Sequence, residues 1–116
     1  MHELAVTKSI LKLVLVHAEK NNASEILSID LLIGEMRNLE EDWIQKYFDY
    51  ISKGTMAEKA RIHVRKLPVL FHCKQCSSDF SPNLKEDAKM LCTHCGSFEY
   101  DLVSGRELMV EKLEAR

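Results

Sequence analysis

Cys73-x2-Cys76 and Cys92-x2-Cys95 hold all four cysteines of the chain, and the fifteen residues between the pairs let one pair fold back on the other. Each Cys-x-x-Cys turn directs two sulfurs at one ion, with main-chain amides close enough to soften the thiolate charge. Two such turns build a tetrahedral thiolate cage for zinc. With every position taken by protein, the cage has no place for water or substrate, so the expected role of Zn(II) is structural rather than catalytic. The competing reading of the same residues is two disulfides or a redox pair. The tight pairing of the thiols, in a chain that reads as having no secretion signal, favours the metal.

The other residues with metal chemistry are at the start, Met1-His2-Glu3. A bulky second residue hinders removal of the initiator methionine, which leaves a free amine on Met1. That amine and the His2 amide nitrogen close a five-membered ring on a metal, and the amide with the near ring nitrogen of His2 closes a six-membered one. Glu3 can complete the plane with its own amide nitrogen or approach with its carboxylate. Deprotonated amides in a square plane suit Ni(II) and Cu(II), and suit zinc poorly. A lone histidine at position two is a weak signal by itself, and what strengthens it is the rest of the chain.

These groups must be positioned by the elements between them. From Glu3 to about Lys20, Leu4, Ile10, Leu11, Val14, Leu15 and Ala18 recur at three and four, which predicts an amphipathic helix ended by Asn21-Asn22. Leu27, Ile29, Leu31 and Ile33 alternate as the inward side of a half-buried strand closed by Gly34. Asn38 is expected to cap a second helix, with Glu40, Glu41 and Asp42 in its first turn, Trp43, Ile44, Tyr47, Phe48 and Ile51 as its apolar stripe, and Gly54 as its stop. Arg61 to Leu67 reads as a strand ended by Pro68. Phe98 to Val103 and Glu107 to Leu113 read as strands joined at Ser104-Gly105, the last returning to the first sheet. The insert from Ser77 to Leu91 is polar and short of core residues, so its folding should depend on metal.

The expected fold class is α+β, in which a small sheet with two helices forms a discontinuous domain, residues 1–68 and 105–116, that carries the amino-terminal metal site. A zinc-ribbon-like module, residues 69–104, is inserted into it. A length of 116 residues allows one such domain with a small module, against ~100–150 residues for a common domain.

Charge excludes more than it suggests. The formal net charge is −2 and the pI near 6.2, which gives no basic face for nucleic acid. Between the cysteine pairs, Lys85 and Lys89 stand against Asp79, Glu86 and Asp87, with no alternation of aromatic and basic residues to stack bases. Ile10 to Val16 is apolar, but Lys8, Lys12, His17 and Lys20 interrupt it, so neither a signal peptide nor a membrane span is expected. No nucleophile is paired with a base, which argues against an enzyme. A zinc-ribbon module that binds protein or nucleic acid, without nickel, is the alternative reading of the cage.

Met1-His2-Glu3-Leu4, Ile33-Gly34-Glu35, Phe71-His72-Cys73, Cys95-Gly96-Ser97 and Gly105-Arg106-Glu107-Leu108, in this order and at these distances, resemble the hydrogenase maturation nickel-insertion proteins of the HypA/HybF family across the whole chain. The resemblance implies a small cytoplasmic nickel metallochaperone that is not an enzyme. It implies a structural zinc module, a nickel-handling GTPase as partner, the [NiFe]-hydrogenase large subunit as recipient, and a possible homodimer. Carried over by position, Met1, His2 and Glu3 would hold nickel, and Cys73, Cys76, Cys92 and Cys95 would hold zinc. Glu40 matches a place where some relatives carry an acid near the nickel. Some relatives carry a histidine directly after each cysteine pair, where this chain has Ser77 and Gly96. His72 and His94 therefore read as surface or supporting residues, and His17 and His63 as ordinary ones.

Overall fold

The structure, a computed structural model, describes residues 3–82 and 90–116. In chain order its elements are α1 (Glu3–Lys20), β1 (Ile26–Gly34), a 3-10 turn (Glu35–Arg37), α2 (Glu41–Ile51), β2 (Arg61–Leu67), β3 (Leu70–Cys73), β4 (Asp79–Phe80), β5 (Tyr100–Ser104) and β6 (Leu108–Ala115). The strands form two sheets, in the orders β2-β1-β6 and β4-β3-β5.

In the first sheet β1 and β2 are parallel, with Leu31 opposite Val64, and the connection between them must cross over; α2 supplies that crossover. β6 returns from the second sheet to pair antiparallel with the other side of β1, as its apolar content predicts. Val6, Ile10 and Val14 of α1 and Ile44 and Phe48 of α2 join Ile29, Leu31 and Ile33 of β1 in one buried cluster, so the innermost residues of both helices' stripes are core. Asn22 closes α1 at φ 57°, a turn that brings the Ala23 N–H to the Ala18 carbonyl at 3.0 Å and satisfies one of the helix's last acceptors.

Several expectations need correction. Asn38 does not cap α2: the 3-10 turn takes it as its own end residue at φ 52°, and Glu40 becomes the N-cap of α2 without a side-chain cap hydrogen bond. Trp43 is 47% exposed, because Ile44 and Phe48 set the inward direction and Trp43 lies about 100° around the helix from Ile44. A register irregularity between Ile26 and Ser28 buries Ile26 completely and leaves Leu27 only partly covered. The strand expected from Phe98 runs instead from Tyr100 to Ser104, and β3 and β4 were not anticipated. The Ser77–Leu91 insert is not wholly polar in effect, since Phe80 is 3% exposed and packs with Phe71 and Tyr100 at centroid distances of 5.5 and 5.4 Å.

The two sheets meet at a close joint. A Cβ on Gly34 would lie 2.0 Å from the Gly105 carbonyl carbon and oxygen, so only glycine fits there. The Gly34 N–H donates to the Glu107 carbonyl at 2.8 Å, the Met36 N–H to the Gly105 carbonyl at 3.0 Å, and Arg37 Nε to the Arg106 carbonyl at 2.6 Å. Glu107 Oε1 accepts the Gly105 N–H at 2.7 Å. Met36, between the sheets, packs on the second core of Val69, Phe71, Cys73, Phe80 and Cys92.

Candidate metal centre

The two cysteine turns have the same backbone. In the first, Ser77 N–H donates to the Cys73 carbonyl at 3.0 Å and Cys73 N–H to the Ser78 carbonyl at 2.9 Å; in the second, Gly96 and Ser97 make the same two bonds with Cys92, each at 2.9 Å. Each turn needs a left-handed residue after its second cysteine. Ser77 takes that conformation at φ 58° and Gly96 at φ 77°. Both knuckles thus read Cys-x-x-Cys, a small residue, then Ser, a signal present in the sequence beyond the cysteine spacing.

β3 delivers Cys73 at its end, and its neighbour β5 pairs Tyr100 opposite Cys73. The four sulfurs lie within 4.8 Å of one another. Cys73 Sγ is 3.6 Å from Cys95 Sγ, and Cys76 Sγ is 3.8 Å from Cys92 Sγ. A disulfide needs about 2.05 Å. A tetrahedron of thiolates about 2.3 Å from a zinc ion has edges of about 3.8 Å, so the donor set fits such an ion as it stands. Cys73 and Cys92 are buried against the aromatic cluster, whereas Cys76 and Cys95 are exposed.

Charge on these sulfurs is set locally. Main-chain and hydroxyl hydrogen bonds from Ser78 bring the Cys76 thiol down to about 6. At Cys95 the main-chain hydrogen bond from Ser97 also favours the thiolate, but burial and the three neighbouring sulfurs outweigh it and push the thiol up to about 12. Burial opposes ionisation of Cys92, yet main-chain hydrogen bonds from Cys95 and His94 lower its pKa. The His94 N–H lies 3.4 Å from Cys92 Sγ. Crowded thiols cannot all ionise together without a cation among them.

Of the remaining sequence-derived residues, Met1 and His2 lie outside the described residues. Glu3 is the first residue of α1 and half-buried, and its carbonyl accepts the Thr7 hydroxyl. Glu40 is exposed at the start of α2. His72 lies on the outer side of β3, its Nδ1 2.6 Å from Asp79 Oδ1 and both side chains about half exposed. His17 and His63 are exposed. Among the described residues no helix is long and apolar enough to cross a membrane, and no other group of metal-ligating side chains converges.

Comparison with known proteins places this arrangement. The hydrogenase maturation factor HypA of Dehalococcoides mccartyi is 32% identical over 114 residues, covering 98% of this chain and 93% of that protein. The corresponding factor of Nostoc sp. is 34% identical over 114 residues, covering 98% and 95%. The solution structure of the Ni metallochaperone HypA from Helicobacter pylori superposes with a TM-score of 0.68 at 28% identity, covering 99% of this chain and 97% of that one. A further HypA solution structure gives 0.72 at 27%, covering 100% and 97%. The family profile for hydrogenase/urease nickel incorporation matches residues 1–115, and with two helices, small sheets and the four-cysteine cluster in common, the chain belongs to the HypA family of nickel metallochaperones, which are not enzymes.

Proposed function

We propose that this chain takes up Ni(II) through the Met1 amine, His2 and Glu3 and releases it, in the cytoplasm, to the [NiFe]-hydrogenase large subunit, in concert with a nickel-handling GTPase. Zn(II) bound by Cys73, Cys76, Cys92 and Cys95 has a structural role in this reading. Residues 69–104 act as an inserted zinc module, and residues 1–68 with 105–116 act as the nickel-bearing unit. Nucleic acid has no part in it.

The observation that carries the proposal is the start of α1 at Glu3. Its amide lies in the first helical turn, where N–H groups have no acceptor within the helix. The positive end of the helix also favours loss of amide protons, which square-planar nickel binding requires. In this reading Met1, His2 and Glu3 supply the donors at the end of α1, whose 18 residues from Glu3 give them a firm support. Glu40 makes no cap hydrogen bond, and its match to the acid that some relatives carry is the reason to include it in the proposal. Because the amine, imidazole and amides bind without their protons, nickel affinity rises with pH and falls when a competing site draws the ion away.

His2→Ala tests the assignment. The variant is expected to keep the zinc content and far-ultraviolet circular dichroism of the native chain and to lose the absorption of square-planar nickel. Unchanged nickel absorption would put the ligands elsewhere.

A further inference from the structure

Leu4, Thr7, Leu11, Val14 and Ala18 repeat at intervals of three and four along α1, the seam by which a helix packs on its support, and Thr7 is the one polar residue in that seam. Its side chain is fully buried. Valine has nearly the same shape and would add apolar contact there, whereas a buried hydroxyl is costly unless it is bonded. The Thr7 hydroxyl is bonded: it donates to the Glu3 carbonyl, four residues back.

Threonine in a helix often satisfies its hydroxyl in this way. What sets this bond apart is where it lies. Ser9 makes the same type of bond to the Ala5 carbonyl at 3.2 Å, but it is exposed and water competes for both partners. Thr7 donates from a side chain that water does not reach, and its acceptor belongs to the first residue of the helix. The helical N–H of Thr7 is directed at the same oxygen, so one buried residue holds the Glu3 carbonyl with two donors. Helix ends otherwise fray. Here the backbone of Glu3 is tied down at the residue where α1 meets the proposed nickel donors.

We propose that Thr7 is a positioning residue for nickel: its hydroxyl holds the Glu3 peptide, and so keeps Glu3 in one direction relative to the other donors of the Met1-His2-Glu3 hook. The inference rests on the reading of that hook as the nickel site. Thr7 touches no metal. Donors that share a square plane must be brought to one geometry, and a first turn already fixed has less conformational freedom to lose when the ion binds. Without the hydroxyl the helical N–H alone holds the Glu3 carbonyl. The turn then samples more states, and nickel binds more weakly and leaves faster. Packing of α1 depends instead on the Thr7 methyl, which valine also supplies.

Two substitutions separate the hydroxyl from the methyl. Thr7→Val removes the donor and keeps the shape, so the zinc-loaded variant should match or exceed the native urea midpoint and yet bind Ni(II) about three- to tenfold more weakly, the range expected for one hydrogen bond. Thr7→Ser keeps the donor and loses the methyl, so its urea midpoint should fall while its nickel affinity stays near native. Thr7→Ala, a strong helix former that also lacks the hydroxyl, should repeat the nickel result and serves if the valine variant does not fold. Native nickel affinity in the variants without the hydroxyl overturns the proposal. So does an affinity that falls in the serine variant as far as in the others, which would tie nickel binding to packing alone. His2→Ala run in parallel separates the two readings. If it loses nickel while Thr7→Val binds as the native chain does, the hook stands and Thr7 has no part in it; if it keeps nickel, the hook is wrong and the role of Thr7 falls with it.

Discussion

Cys76 and Cys95 face the same ion site in matching turns, yet their thiols are set far apart, at about 6 and about 12. At neutral pH Cys76 is already a thiolate, while Cys95 keeps its proton until a cation arrives. Metal uptake, by zinc in the proposed reading, should therefore release protons, and the number released per ion should grow as pH falls through about 6, where Cys76 begins to hold a proton as well. Calorimetry in buffers of different ionisation enthalpy measures this number directly; a release that does not change between pH 5 and 7 would contradict the assignment. Glu107 gives a second pH effect. The Gly105 N–H, with further main-chain bonds from Glu107 itself and Arg106, holds its carboxyl below the usual range. A depressed folded-state value stabilises the fold above the unfolded pKa, about 4.3, and that contribution is lost as pH falls. Glu107→Gln should therefore lose stability at pH 7 and show a shallower decline on acidification, read as urea midpoints between pH 3.5 and 7. Parallel curves for the two proteins would remove Glu107 from the joint.

At the scale of elements, the parts readable in the sequence were those with a long periodic signal. α1, β2 and the return of β6 follow from apolar spacing alone. What escaped was short or tertiary in origin. The 3-10 turn that takes Asn38 from α2 is three residues long, and β4 is two, too short for any period to register. Phe80 reads as one apolar residue in a polar insert until Phe71 and Tyr100 are seen around it. Gly34 and Gly105 stand 71 positions apart in sequence and touch only because β6 returns to β1. Their contact explains the residue type: in Gly34→Ala the new methyl would strike main chain rather than a flexible side chain. About 3 kcal/mol or more should be lost, measured by chemical denaturation, since overpacking against backbone exceeds the usual cost within a core. A loss below about 1 kcal/mol would mean that the joint can open without cost.

The whole molecule is elongated, 54 × 24 × 16 Å, with a separate buried cluster under each sheet. The cysteine spacing made the cage legible, and the left-handed Ser77 and Gly96 add the reason that both turns can close. Removal of metal should release the second sheet and spare the first. Trp43, the single tryptophan, lies on α2 and reports on the first sheet. Chelation should leave its emission and the helical circular dichroism unchanged while amide protection in β3 and β5 is lost; simultaneous loss of all three signals would mean that the joint makes the molecule one cooperative unit. The central claim is the nickel hook, and its most direct test is a calorimetric nickel titration of the zinc-loaded protein beside a copy extended by a few residues at its amino terminus. The account predicts one nickel per native chain, and no binding by the extended copy with its zinc and fold intact. Equal binding by both proteins, or by neither, would contradict it.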